Sequence, residues 1–283
     1  MGIALNRVNN SQCNRSQSLW PFLFSLVMFF VCLHTFISVI GSYMLFLIAC
    51  FGTKPSVEPP TPKQPVEEIV QESSKPLVIL DGVTLEANWD DGDTFSAKHP
   101  QTGEKIKARL NGYNTLESYG PVHIWGDWTA DELYTIAKEA GVLARAKTWT
   151  CTDTKKGGGY GRILVDCPDL RKEMLRAGMA HVFAIEAPAP QEDLEAMRLG
   201  MEAKNGMWEK GVPDFLVTSL HSQSEKPDKE VYNRVCDLVK GQCAPQTHQD
   251  TYEICEKVCV QDSCMIYVPY FKRYRNKADC LVK

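Results

Sequence analysis

Residues 77–117 read LVILDGVTLEANWDDGDTFSAKHPQTGEKIKARLNGYNTLE, and this stretch decides the fold. LVILDGVTLEANW has the β-branched, apolar character of a strand. Thr94 to Lys98 and Lys105 to Leu110 predict two more strands, joined by a turn at His99-Pro-Gln-Thr-Gly103. Ile106, Ala108 and Leu110 share one face of the later strand, so Arg109 points from the other. Downstream, Thr129-Ala-Asp-Glu132 has the spacing of a capping box. Leu133, Ile136, Ala137, Ala140 and Leu143 then recur at helical intervals. Two further strands, AKTWTCTDT and YGRILVDC, flank the glycine-rich turn KKGGG. Pro168 opens a second helix that Gly178 closes. A third helix runs from about Glu192 to Lys204, and Asn205-Gly206 ends it. The order β-β-β-α-β-β-α-α predicts an α+β protein. Its core is a five-stranded Greek-key β-barrel of the OB-fold type with three helices, over residues 77–215.

Upstream, Trp20 to Cys50 runs almost without charge, long enough to cross a bilayer. Residues 1–50 therefore read as a signal peptide or membrane anchor. Leu47-Ile48-Ala49-Cys50 looks like a bacterial lipobox, which implies cleavage before Cys50 and lipidation of its thiol. A retained transmembrane anchor is the alternative. Both place the rest of the chain outside the cytoplasm, tethered to a membrane. Residues 51–76 carry Pro55, Pro59, Pro60, Pro62 and Pro65, and read as an extended spacer. The formal net charge of −4 includes Arg7 and Arg15, the only charges of the first 50 residues, so the remainder is more acidic still. A protein that coats nucleic acid through a broad basic face is thereby disfavoured. An enzyme with a few well-placed arginines is not.

Residues 216–230 read as a linker, and residues 231–283 as a small module with six cysteines. Of the 11 cysteines in the chain, eight lie beyond Cys50, an even number that suits disulfides in an oxidising compartment. Spacing does not fix the connectivity of the last six, and zinc is a rival for Cys255, Cys259 and Cys264. Cys151 and Cys167 lie nearly symmetrically about the turn near Gly159, which predicts a disulfide bracing that hairpin. The run YVPYFKRYRNK, Tyr267 to Lys277, interleaves basic and aromatic residues as single-stranded nucleic acid binding requires. A solvated basic strand is the plainer reading. His123 is a lone loop histidine and Trp208 a core anchor.

Four segments carry candidate chemistry: Asp91-Gly-Asp93-Thr94, Arg109 to Ser118, Tyr160-Gly-Arg162, and the frame Leu175 to Val182. As an ordered set they resemble the staphylococcal (thermo)nuclease family, from about Leu77 to Val212. The resemblance implies a Ca²⁺-dependent nuclease that hydrolyses DNA or RNA, breaking the bond from phosphorus to the 5′-oxygen and leaving a 3′-phosphate. Asp93 and Asn114 match calcium ligands, Thr115 offers its backbone carbonyl, and Asp91 stands in the outer shell. Arg109 and Arg162 match the arginines that grip the phosphate. Glu117 matches the general base. The chemistry is consistent in its own terms. Ca²⁺ takes several oxygen ligands. Guanidinium forks fit phosphoryl oxygens, and a carboxylate can take a proton from water.

The sequence departs from that pattern at two places. Asn114 stands where a second aspartate is expected, which predicts weaker Ca²⁺ binding because affinity follows ligand charge. Ala184 and Glu186 stand where base-stacking tyrosines are expected, and Phe183 between them reads as core. The competing function is a catalytically weak nuclease-like module that binds nucleic acid or protein. No protein partner is legible in the sequence.

Overall fold

The computed structural model describes residues 75–281. The expected membrane segment, the lipobox with Cys50, and the Pro-rich spacer up to residue 74 lie outside the described residues. Among the described residues, no helix is long and apolar enough to cross a membrane.

The strand expected over 77–89 is three strands. Asp81 and Gly82 both take positive φ, 47° and 83°. They reverse the chain between β1 (Leu77–Leu80) and β2 (Val83–Glu86), which pair antiparallel. A two-residue turn of this kind matches the twist of the flanking strands, and Asp-Gly favours it. After Ala87 comes the short β3 (Asn88–Trp89), then β4 (Thr94–Lys98) and β5 (Lys105–Leu110). Next are β6 (Tyr113–Thr115), β7 (His123–Trp125) and helix α1 (Ala130–Arg145). The hairpin β8 (Trp149–Gly157) and β9 (Ile163–Asp166) precedes α2 (Pro168–Arg176), β10 (Ala180–Val182) and α3 (Gln191–Glu202).

One seven-stranded sheet runs β2-β1-β8-β9-β5-β4-β3. Its two edges, β2 and β3, are separated in sequence only by Ala87, so the sheet curls into a nearly closed barrel. The count is seven rather than five because one expected strand folded twice. A β6–β10 pair lies beside it. Inside, Val78, Phe95, Ala108, Leu110 and Val165 meet Leu170, Met174 and Leu175 of α2, all 1% exposed or less. Each such large apolar side chain contributes about 1.5–3 kcal/mol by leaving water. Trp208 is 1% exposed in this core.

The helices begin where their caps lie. Thr129 and Glu132 close a reciprocal capping box on α1. Pro168 opens α2, where its missing N–H has no intrahelical partner to lose. The buried face of α1 is Leu133, Ala137, Ala140, Gly141 and Ala144. Such small residues let it approach the barrel closely.

The C-terminal region differs from a linker followed by a separate module. Residues 216–219, expected in the linker, belong to β11 (Phe215–Ser219), and Leu216 and Val217 are fully buried. β11 pairs with β12 (Val231–Asp237), which pairs with β13 (Gln242–His248). Leu216, Cys236, Leu238 and Cys243 join the barrel's own core. β14 (Lys257–Val260) and β15 (Ser263–Ile266) form a hairpin whose second strand pairs with β7. The apolar content of 215–220 is the reason: FLVTSL buries better as a strand than as a tether.

All eight cysteines of this region and the barrel are paired. Cys151–Cys167 braces the β8–β9 hairpin, and Cys236–Cys243, Cys255–Cys280 and Cys259–Cys264 staple the C-terminal strands. The zinc alternative at Cys255, Cys259 and Cys264 is thereby corrected, because each of those sulfurs is spent in a disulfide. Four disulfides suit an extracellular or otherwise oxidising environment.

Candidate functional site: a buried carboxylate–guanidinium cluster beside Glu117

The site is built where the loop after β3 meets β5 and β6. Gly92 lies so close to its neighbours that a Cβ there would sit 2.6 Å from Thr115 Cγ2 and 2.8 Å from Ala140 Cβ. The acidic loop is therefore pressed between β6 and α1, and only glycine permits it. Tyr113 Oη donates to the Gly92 carbonyl at 2.9 Å, and the Leu110 N–H donates to the Asp93 carbonyl at 2.8 Å. These contacts fix the loop onto both strands.

Asp93 is 2% exposed and stands at the centre. Its Oδ2 accepts from the Thr115 N–H at 2.8 Å and from Thr115 Oγ1 at 3.1 Å. Its Oδ1 accepts from Thr94 Oγ1 at 3.1 Å and from Arg109 Nη1. Arg109 donates its other terminal nitrogen to Asn114 Oδ1. Asn114 Nδ2 in turn donates to the Thr115 carbonyl at 2.8 Å. Asp91 Oδ1 accepts from the Asp93 N–H at 3.0 Å. Thus Asp91, Asp93, Arg109, Asn114 and Thr115 form one bonded cluster.

Its electrostatics follow from burial and crowding. Burial alone would raise the Asp93 carboxyl, but the Arg109 charge and the Thr115 N–H outweigh it and hold the group below its ordinary value. For Asp91 the Asp93 N–H and the Arg109 charge act in the same direction but are too weak to win. Burial, and then the charge of Asp93, push it up to about 8. One guanidinium thus serves two crowded carboxylates.

Glu117 follows β6 and is half-buried. Its backbone N–H donates to His123 Nε2 at 3.5 Å. Burial and the charge of Asp93 raise its carboxyl, against Arg109, Arg273 and Arg162, which lower it. It thus lies in the combined field of three arginines without pairing to any of them directly. Arg162 sits at the β8–β9 turn, with Nε donating to the Gly159 carbonyl at 3.2 Å and its guanidinium 5.7 Å from the Tyr160 ring. That turn lies against β5, since a Cβ on Gly158 would be 3.0 Å from Arg109 Cβ.

His123 is 2% exposed, and burial drives its imidazole down to about 3, so it is neutral. It props the Glu117 backbone rather than facing solvent. Phe183 packs against the core, 5.8 Å from the Arg109 guanidinium and 5.7 Å from that of Arg234. Ala184 gives its carbonyl to the Cys243 N–H at 2.7 Å, and Glu186 pairs with Lys156 at 2.9 Å.

Among the described residues, no three His, Cys, Asp or Glu side chains gather as a metal-binding group. The oxygen donors that do gather are the carboxylates of Asp91 and Asp93, the Asn114 amide and the Thr115 carbonyl. That is a hard-oxygen set, the kind Ca²⁺ takes. With Asp91 pushed up to about 8, the charge of Asp93 is balanced by Arg109 near neutral pH, and a cation would have to displace the Asp91 proton to gain a second carboxylate.

Sequence reasoning missed two contributors. Arg273 and the neighbouring Tyr274 come from the C-terminal segment, yet Arg273 acts on Glu117, and Glu117 and Asp91 both act on Tyr274. The YVPYFKRYRNK run was the signal for their chemistry. Nothing in the sequence placed it here. No protein-family model matches the chain, and no curated protein matches it.

Proposed function

We propose that this protein is a Ca²⁺-dependent phosphodiesterase of the staphylococcal nuclease type, acting on DNA or RNA outside the cytoplasm from a membrane tether at Cys50. The barrel would then be an OB-fold elaborated by the Asp81-Gly82 reversal. The observation that carries this reading is the convergence of Asp93, Arg109, Asn114 and Thr115 in one cluster, with Glu117 and Arg162 beside it.

When bound, Ca²⁺ would supply a Lewis acid at a phosphoryl oxygen, held by Asp93, Asn114 and the Thr115 carbonyl with Asp91 behind. The chain's own groups do the rest. Arg162 and Arg109 would present guanidinium forks to the phosphoryl oxygens, where negative charge grows during attack. Glu117, when ionised, would take a proton from the attacking water. The water oxygen bonds to phosphorus, the bond from phosphorus to the 5′-oxygen breaks with its electron pair going to that oxygen, which takes a proton from solvent to leave as a 5′-hydroxyl, and the phosphate stays on the 3′-side. Because burial raises Glu117, the rate should climb with pH as that carboxyl loses its proton.

The test is cleavage of single-stranded DNA and RNA by the oxidised protein, with Ca²⁺ titrated and EDTA as control. Calcium-dependent cutting is expected, with half-saturation lowered about tenfold by Asn114→Asp, which restores a ligand charge. Loss of Arg109 or Arg162 should nearly abolish turnover, and unchanged activity in both variants would sink the mechanism. A second reading rests on a specific observation. Both terminal nitrogens of Arg109 are already spent on Asp93 and Asn114, which closes the cluster upon itself. A binding module would show affinity for nucleic acid with no cutting at any Ca²⁺, and none restored by Asn114→Asp.

A further inference from the structure

The segment after β15 is pinned at both ends and displayed in the middle. Val268 is fully buried, and Ala278 and Leu281 are buried with it and Val122 in a small core of their own. The Cys255–Cys280 disulfide ties the far end to the start of the β14–β15 hairpin. Between these anchors, Tyr270, Phe271 and Tyr274 are 70%, 68% and 54% exposed. Nothing in the fold requires three aromatic rings to stand in water, and a fixed exposed cluster of this kind marks a contact surface.

The cluster faces the candidate site. The Tyr274 ring lies 6.5 Å from that of Tyr119, with 24° between planes, and Tyr270 packs edge-on to Tyr274 at 5.4 Å. Tyr119 is two residues from Glu117. Arg273 runs along the same loop, since a Cβ on Gly120 would be 2.9 Å from Arg273 Cδ. Its Nε donates to the Val268 carbonyl at 2.9 Å, which holds the charge in place. A narrow cleft between the loop and the segment is lined by Ser118, Tyr119, Gly120, Arg273 and Lys277. Lys138 stands at its edge, 4.4 Å from the centre of the Tyr119 ring. Within 270–281 the cations are Lys272, Arg273, Arg275 and Lys277, and the only carboxylate is Asp279.

We propose that Tyr119, Tyr270, Phe271 and Tyr274 form a platform on which bases of a single-stranded polynucleotide stack, with Lys272, Arg275 and Lys277 on its phosphates, leading the strand to Glu117 and Arg162. The destination of the strand rests on the phosphodiesterase reading; the platform itself does not. Flat rings at fixed positions take any base on its π-face, and interleaved cations follow the backbone. Base pairing would hide those faces, so the surface suits single strands over duplex.

The experiment is equilibrium binding of a labelled single-stranded oligonucleotide to the full, oxidised protein in EDTA, read by fluorescence anisotropy. The variant Tyr270→Ala/Phe271→Ala/Tyr274→Ala should lose about tenfold in affinity per stacked base. Tyr274→Phe keeps the ring and should bind as the parent does. Lys272→Ala/Arg275→Ala/Lys277→Ala should lower the slope of log affinity against log salt by about 2, since each single-strand phosphate contact carries about 0.7. All these side chains are exposed or partly so, and an unchanged unfolding midpoint confirms that the fold is kept. Parent-like binding by both triple variants overturns the proposal. So does lost affinity for vesicles of anionic phospholipid with oligonucleotide binding intact, which would make the strip a membrane surface. If the parent cuts, the aromatic variant should raise KM with kcat little changed. If the parent never cuts but the variants lose oligonucleotide, the platform stands and the phosphodiesterase reading fails.

Discussion

Replacing Arg109 by Met removes the one cation that touches Asp93, and the structure sets the size of the effect. Asp93 is 2% exposed, with Asp91 bonded beside it. Two unit charges about 4 Å apart interact by about 4 kcal/mol at the effective dielectric near 20 that suits such sites. Breaking a buried pair by deleting one partner costs about 3–5 kcal/mol, because the other charge stays behind. Three neutral donors remain on the carboxylate, at 2.8, 3.1 and 3.1 Å, and they keep the loss toward the lower end. The expected destabilisation of Arg109→Met is about 3 kcal/mol at pH 7, read from urea unfolding of the oxidised protein. The sign of its pH dependence is fixed. In the parent, Asp93 is held below its ordinary 3.8, so its contribution is present above that value and lost as pH falls through the lower one. Without Arg109 the carboxyl titrates upward, and protonation relieves the variant first. The gap between variant and parent should therefore shrink from pH 7 toward pH 4. Asp93→Asn/Arg109→Met should be less damaged than the sum of its singles by about 2–3 kcal/mol. A loss under about 1 kcal/mol, or one that ignores pH, would mean that Asp93 does not depend on this guanidinium.

Other outcomes follow from single contacts. His123 is held neutral down to about 3 while the unfolded chain takes its proton near 6.5, so folding loses about 2–3 kcal/mol from this group between pH 7 and pH 4.5. His123→Gln, which keeps an acceptor for the Glu117 N–H, should make unfolding less acid-sensitive by that amount; an identical pH profile would refute the buried neutral imidazole. Cys151→Ala/Cys167→Ala should cost about 3 kcal/mol, the chain-entropy value for a loop near 15 residues, against a separation of 16 here. Thermal unfolding under oxidising conditions measures it.

The barrel was legible where local chemistry and global packing agree. The capping box at Thr129, Pro168 at the head of α2, and the one-sided pattern of Ile106, Ala108 and Leu110 all mean the same thing in a peptide and in the fold. The Asp81-Gly82 reversal is equally local, but the apolar run around it reads as one continuous strand. Residues 216–219 depart from the expected linker for a different cause. The polar half of that linker resembles a tether, but the partner that turns 215–219 into a strand is β12, supplied later in the chain. The candidate site divides the same way. Asp91 and Asp93 sit in the loop after β3, Arg109 on β5, and Asn114 and Thr115 on β6, all close in sequence, so short spacing brings them together. Arg273 and Tyr274 reach Glu117 only through the pairing of β15 with β7, and no periodicity encodes that.

That pairing makes the position of Glu117 a joint property of the two halves. The loop from Leu116 to Val122 is held at one end by β6, which pairs with β10 beside the barrel, and at the other by β7, which pairs with β15. Ile266 donates its N–H to the Val122 carbonyl at 2.8 Å, Arg273 fills the space beside Gly120, and His123 props the Glu117 backbone. The hairpin that supplies β15 is itself closed by Cys259–Cys264 and anchored by Cys255–Cys280. A loop closed at two fixed ends has few conformations left to lose, so little entropy opposes its ordering. The C-terminal strands are therefore part of what holds the carboxyl in the field of Arg109, Arg162 and Arg273. Removing the β14–β15 hairpin would leave the bonds of the Asp93 cluster in place and would lose the contacts that set the charge on Glu117.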